Sequence, residues 1–418
     1  MPPPPNDDDT PSERQPRVLI ASLSHGSPPT QPRPQRALEL GRHLAERGVR
    51  VDHVVLVEEA LHPTERRRLE ELSGAGGEVA LVARPAETGL RGRLRRCFAE
   101  SLGLLGVRRP WRPPRRWLPE LASRLDARTY DLAILCGERL HPLVPPLAER
   151  VRLFLDLPRL EFEVRREQQA LGREDASGRR REQDACLDDL RASHGILVAT
   201  RADGETLRRL GVKSPVHVAP PVASFPDAEA VDRWSSRRPP RILFVGSETV
   251  ANLDGIRWFR HRVLPRVLRA VPSCRLRLVG ECARHIQSGP EFERVGWVDD
   301  LTPEYLEASV VLLPLRLGGG VRRRAVEALA HGRTLAATET AARGLDLEPG
   351  RDAIVDSGEA ELAEGIITAL TDDESRQRYE ARAREIARER FAPERALAPL
   401  FELLLAPEST LAVGPAQA

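Results

Sequence analysis

Val18-Leu19-Ile20-Ala21, just after Arg17, is followed by a Pro- and Gly-bearing loop to Pro34. Leu38, Leu40, Leu44 and Ala45 then recur at helical spacing before Gly48, and Val51-Asp52-His53-Val54-Val55-Leu56-Val57 closes the stretch. A short apolar run bounded by loop residues reads as a buried strand, and apolar residues three or four apart read as one face of a helix. Strand, loop, helix, strand with short connections is a βαβ unit, the building block of a parallel sheet covered by helices. The pattern recurs at Val79–Val82, Leu132–Leu135, Leu153–Leu155 and Gly195–Val198. After a polar, proline-bearing stretch it starts afresh at Ile242–Val245, closed by Gly246, and continues through Leu276–Val279, a run near Val295, Val310–Leu313 and Thr334–Thr338. Helices are predicted around Ile256–Leu268 and over Arg322–Ala330.

The expected fold class is therefore α/β, with two Rossmann-like doubly wound domains facing each other across a cleft. Residues 1–16, proline-rich and then acidic, are expected to be a disordered leader. The N-terminal domain is placed at 17–222, an interdomain linker at 223–240 and the C-terminal domain at 241–385. The highly charged helix pattern of Asp372–Arg390 leads into an apolar helix ending near Leu405. Residues 386–406 are expected to cross back to the first domain, and 407–418 to form a flexible tail.

Composition excludes several classes. Over 418 residues, 64 basic and 62 acidic side chains leave a net charge of only +2, so the arginine-rich chain is not a polycation that must sit on nucleic acid. Lys213 is the only lysine, a skew that codon preference explains without invoking phosphate recognition. Cys97, Cys136, Cys186, Cys274 and Cys282 are odd in number and widely spaced, without a CxxC or Cys/His pattern. That disfavours a disulfide framework and a zinc site. No segment has the apolar length of a signal peptide or membrane span. The chain is expected to be cytoplasmic, to need no metal or bound cofactor, and to bind no nucleic acid.

The stretch richest in chemistry is Pro314-Leu315-Arg316-Leu317-Gly318-Gly319-Gly320-Val321-Arg322-Arg323-Arg324-Ala325-Val326-Glu327. Glycines after a strand let the backbone approach a ligand, and the following helix start presents free amides and partial positive charge to a diphosphate. Arg322 and Arg324 can pair with phosphate oxygens, and Glu327 can accept hydrogen bonds from two ribose hydroxyls. A structural glycine loop with a solvated arginine face is the competing reading.

This run resembles the nucleotide-sugar half of the family 4 glycosyltransferases, glycosyl transferases group 1 with the GT-B fold, in a glycine-rich GGG-loop subgroup. Ala308–Leu315 before it, Ala342–Leu345 after it, Phe244-Val245-Gly246 with Asn252, Asp254, Ile256 and Trp258-Phe259, Val279-Gly280, and Gly296-Trp297-Val298-Asp299-Asp300 extend the match. The resemblance is dense from Arg241 to about Leu404 and faint before that. It implies transfer of a sugar from a nucleotide-diphosphate donor to a glycan or lipid-linked acceptor, usually with retention and without an obligatory metal, in glycan, polysaccharide or glycolipid synthesis. Glu327 then corresponds to the ribose-binding Glu, and Arg324 to the lysine that often meets the diphosphate. Gly246 and the loop Gly318, Gly319, Gly320 and Val321, with Arg322, complete the implied donor site.

Departures keep a second class open. Gly319 stands where many members have a sugar-binding Glu, and Ser247-Glu248-Thr249 stands where many carry an Arg and a Lys. The alternative is a non-catalytic GT-B descendant that binds a nucleotide or a protein. In the N-terminal half, His25 and Gly26 stand where such enzymes have a glycine-rich loop near the phosphates. Asp156, at a strand's carboxyl end with Arg159 nearby, is the candidate to bind the acceptor hydroxyl, with turn formation before Pro158 as its competing role. Asp156 and Arg324 are thus the expected catalytic residues. Arg91–Trp117 interleaves arginines with Phe98, Trp111 and Trp117 and is expected to touch an anionic membrane surface peripherally, on the inner face.

Overall fold

The computed structural model describes residues 15–24, 35–57, 78–83, 117–163, 179–227, 240–287 and 289–405. Seven parallel strands form the first sheet: β1 (Arg17–Ser24), β2 (Arg50–Val57), β3 (Val79–Ala83), β4 (Leu132–Cys136), β5 (Leu153–Leu157), β6 (Gly195–Val198) and β7 (Val216–Val218). Their spatial order is β3-β2-β1-β4-β5-β6-β7. The second sheet has six: β8 (Arg241–Val245), β9 (Arg275–Val279), β10 (Phe292–Gly296), β11 (Val310–Leu313), β12 (Thr334–Ala337) and β13 (Ile354–Val355), in the order β10-β9-β8-β11-β12-β13. The expectation of two doubly wound α/β domains is met. In each sheet the chain reverses its direction of winding between two neighbours, β1 and β4 in the first, β8 and β11 in the second. Ligands of open α/β sheets bind outside the carboxyl ends of the strands at such points.

Strand composition follows from double-sided burial. Val18, Leu19, Ile20 and Ala21 are each at most 2% exposed, because helices cover both faces and no position is left for the alternating polar residues of a half-solvated strand. β7 and β13, three and two residues long, are too short to leave a periodicity and were not foreseen. The single helix expected over Ile256–Leu268 is two, Val250–Arg262 and Leu264–Ala270. Pro265 has no amide hydrogen to continue the first ladder, and it stands in the first turn of the second helix, where none is needed.

The chain's last described helices leave the second domain. Leu397, Leu400 and Leu403 are buried in the same cluster as Val18, Ile20, Leu40 and Phe154. The Arg152 guanidinium donates to the Leu403 carbonyl at 2.7 Å, and Ala223 N donates to Phe391 O at 2.8 Å where the chain passes between domains.

Of the basic-aromatic stretch Arg91–Trp117, residues 91–116 lie outside the described residues. Trp117 is a correction: it is fully buried in the first domain's core with Leu121 and Leu135, so its indole faces no membrane. Among the described residues no helix is long and apolar enough to cross a membrane. His25, Gly26 and Cys97 also lie outside them.

Candidate functional site: the cleft between the sheets

At the carboxyl edge of the second sheet, backbone approaches backbone where side chains would block it. Gly246 N donates to Val279 O at 2.9 Å, and Gly280, at φ +98°, would place a Cβ 2.3 Å from Gly246 O. The ends of β8, β9 and β10 are thereby drawn together, with Trp297 half-exposed immediately beyond β10. The helix Val250–Arg262 starts on a Thr249 cap and passes so close to the end of β11 that a Cβ on Gly255 would sit 2.4 Å from Pro314 O.

From Pro314 the chain enters the glycine loop. Gly318 (φ +95°) and Gly320 (φ +76°) occupy the left-handed region that favours glycine; Gly319 does not. Arg322 folds back along the loop and donates to the Leu317 carbonyl at 3.0 Å, so in this state its guanidinium braces the loop. The helix Arg323–Ala330 follows, buried on its Ala325, Val326, Ala328 and Leu329 side. Glu327 lies on its polar side.

Glu327 is the hub of the site. It accepts from Arg324 Nη1 at 2.6 Å, from the Tyr305 hydroxyl at 2.7 Å and from Arg323 Nε at 2.8 Å. Burial alone would push this carboxyl up, but Arg324, Arg323 and Tyr305 together hold it below the ordinary value. The same burial, with the Glu327 charge beside it, drives the Tyr305 phenol well up, so that it stays a donor. Arg324 is held above its ordinary range: burial opposes its charge, and Glu327 more than offsets that. His331 stacks on Tyr305 with ring centroids 4.8 Å apart, its Nδ1 2.7 Å from the Glu327 carbonyl. The sequence offered no signal for Tyr305, because a lone tyrosine beside Leu306 in a short helix reads as core.

The first domain meets this loop from across the cleft. A Cβ on Gly320 would lie 3.2 Å from the Arg159 Cβ and the Pro158 carbonyl, and one on Gly344 only 2.4 Å from the Thr200 methyl. Arg159 itself is paired with Glu161. Arg323 reaches over to Glu39, with Nη1 and Oε1 2.7 Å apart.

Asp156 requires a correction. It sits at the carboxyl end of β5, but its carboxylate is wholly buried and gripped by Arg36, with Nε to Oδ2 at 2.7 Å and Nη2 to Oδ1 at 2.8 Å. Arg36 also donates to the Ala219 carbonyl at 2.6 Å. An acid with no exposed surface and its charge matched by Arg36 is closed to an incoming hydroxyl. It ties the helix Gln35–Ala45 to the carboxyl end of β5. Neither Arg36 nor Glu39 was singled out in the sequence, since both read as the polar face of an ordinary helix. Among the described residues no group of three or more His, Cys, Asp or Glu side chains is placed to hold a metal ion.

What the site can do follows from its parts. Amides of the loop and helix start attract an anion, three arginines stand within one turn, and a buried carboxylate can exchange its arginine and tyrosine donors for hydroxyls.

Comparison with known proteins identifies the architecture: the fold is similar to that of solved GT-B glycosyltransferases. The fold matches sucrose-phosphate synthase from Thermosynechococcus elongatus at TM-score 0.61 and 16% identity, covering 93% of this chain and 98% of that one. It matches Anabaena HepE in complex with UDP at 0.63 and 14% identity, over 93% and 99% of the two chains. A TarM variant from S. aureus, in complex with Fondaparinux, alpha-GlcNAc-glycerol and UDP, gives 0.66 at 10% identity over 93% and 100%. More particularly, residues 239–372 match the family Glycosyl transferases group 1. No curated protein matches the sequence of the chain at a significant level.

Proposed function

We propose that this protein transfers a sugar from a nucleotide-diphosphate donor to a glycan or lipid-linked acceptor, with retention, as a member of the family 4 glycosyltransferases. The observation that carries the reading is Glu327: a mostly buried carboxylate behind a left-handed glycine loop, at the second sheet's switch point, with arginines at hand for a diphosphate. Gly318, Gly319, Gly320 and Val321 present backbone to the donor, Arg324 and Arg323 take the phosphates, and Glu327 takes the ribose. Trp297, exposed beside the strand ends, offers a flat face for the base. The bound UDP, glucose and UDP-glucose of the HepE structures support the donor class, and the α-GlcNAc-glycerol held by TarM supports a carbohydrate acceptor. Peripheral attachment to the inner membrane face through Arg91–Arg116 belongs to the same proposal, and sedimentation with anionic vesicles tests it.

The decisive measurement is a calorimetric and thermal-shift panel of UDP, GDP, ADP and their sugar conjugates. A ligand that binds only the folded state raises its apparent stability. A shift with one diphosphate family, lost in Arg324→Ala and Glu327→Ala, is the expected result. Silence across the panel at millimolar ligand would remove the donor assignment.

One observation favours the non-catalytic alternative. Arg322 is engaged by Leu317 O and Arg323 and Arg324 by Glu327, while Glu248, beside the second sheet's first strand end, brings negative charge and pairs with His285. Turnover separates the two readings: an enzyme releases free nucleotide when acceptor is present, and a binding module does not.

A further inference from the structure

We infer that Glu39, contributed by the opposite domain, is a positioning residue of the donor site that competes with the donor's diphosphate for Arg323. The inference rests on the donor reading above. Arg323 is shared: its Nη1 lies 2.7 Å from Glu39 Oε1, while its Nε donates to Glu327 Oε1 at 2.8 Å. Arg324 holds the other Glu327 oxygen at 2.6 Å. Across the cleft, two guanidiniums therefore face two carboxylates and their charges cancel.

That balance has a chemical consequence. A nucleoside diphosphate brings two or more negative charges to the mouth of the glycine loop, where Arg322 is held by the Leu317 carbonyl and Arg323 and Arg324 are already matched by carboxylates. To meet it, Arg323 must release a carboxylate. Glu327 is fixed by two further donors, Tyr305 and Arg324, and sits on the same helix as Arg323. Among the partners described for Arg323, Glu39 is the one on the other side of the cleft. The Glu39 side chain is the more exposed of the two carboxylates, 20% against 13%, so exchange there leaves less charge stranded out of water. Phosphate binding then replaces a contact between domains by a contact with ligand, and donor occupancy is linked to the spacing of the domains. Gly320 against Arg159 and Gly344 against Thr200 mark the same seam, where an added Cβ would crowd the facing domain.

The test is calorimetry with the nucleoside diphosphate that binds the wild type best, and with its parent nucleoside. In Glu39→Gln, which keeps shape and removes charge, the diphosphate is expected to bind about fivefold tighter, the scale of one partly exposed ion pair. The nucleoside, which has no phosphate, is expected to bind as before. Glu39→Asp, which keeps the charge, is expected to return diphosphate affinity toward the wild-type value, and Arg323→Gln to weaken it. A merely structural Glu39 would shift nucleoside and diphosphate together, and that result overturns the inference. So does unchanged or weaker diphosphate affinity in Glu39→Gln. A wild type that binds none of the diphosphates overturns the donor reading and this coupling with it, whereas normal wild-type binding that is indifferent to Glu39 overturns the coupling alone.

Discussion

Replacing Asp156 by alanine separates a structural carboxylate from a chemical one. In the native protein Asp156 is wholly buried and receives both ends of the Arg36 fork, and Arg36 keeps one further partner, the Ala219 carbonyl. Removing the carboxylate leaves a guanidinium that is only 15% exposed with a single carbonyl to satisfy it. Breaking a buried pair from one side costs about 3–5 kcal/mol, and the residual exposure of Arg36 places this case near the lower end, about 3 kcal/mol. At a urea dependence of about 3 kcal/mol per molar for a domain of this size, the midpoint falls by about 1 M. Two domains need not unfold together, so the assay is urea unfolding followed by circular dichroism, read on the transition that Asp156→Ala moves. Adding Arg36→Met removes the stranded charge and is expected to restore much of the loss. An Asp156→Ala protein with an unshifted midpoint and no transferase activity would refute the reasoning and return Asp156 to the chemistry.

Glu327 is held below its ordinary value, so its contribution to stability is present above pH 4.5 and is lost as pH falls through its folded value; Glu327→Gln should remove that acid-limb dependence from a stability-against-pH curve. His53 is buried and neutral, its value lowered from 6.5 to about 4 chiefly by desolvation, although Asp52 pulls it upward. Its stabilisation is therefore complete above 6.5 and declines toward pH 4, by about 3 kcal/mol in all, and urea midpoints at pH 7, 5.5 and 4.5 should show the slope shrink in His53→Leu. Gly280→Ala forces a left-handed alanine against the Gly246 carbonyl and should lower the melting temperature by about 4–8 °C, whereas a melt like the wild type's would contradict the tight junction of β8 and β9. Trp297→Ala should weaken nucleotide binding by about tenfold in calorimetry if the indole carries the base, and an unchanged affinity would exclude that contact.

The architecture was legible because it is written in local terms. Continuous apolar strands such as Val18–Ala21 and Val310–Leu313, each closed by loop residues, can only be buried on both faces, and that requirement implies helices on either side. Elements of two or three residues escaped, since β13 pairs along only Ile354 and Val355. At the candidate site, Gly318 and Gly320 hold left-handed backbone in the loop that the sequence singles out, and Glu327 stands on the helix behind them. What no sequence window shows is partnership across distance. Arg36 and Asp156 are 120 positions apart, and Arg323 and Glu39 lie in different domains. Neither pairing leaves a periodicity, so an acid at a strand's carboxyl end reads as open to the cleft until its arginine is seen.

The return of Leu397, Leu400 and Leu403 to the first domain also sets a timetable for synthesis. The strands of that domain are complete by Val218, yet the residues that seal one flank of its core lie about 180 positions later. At about 5–20 residues per second, the ribosome takes on the order of 10–35 s to deliver them. During that interval the nascent first domain carries an open apolar trench over Val18, Ile20 and Phe154, while the second domain is still being made. A newly made first domain thus keeps this apolar face exposed until Leu397, Leu400 and Leu403 have been made, so its folding is completed by residues that lie beyond the second domain's sheet.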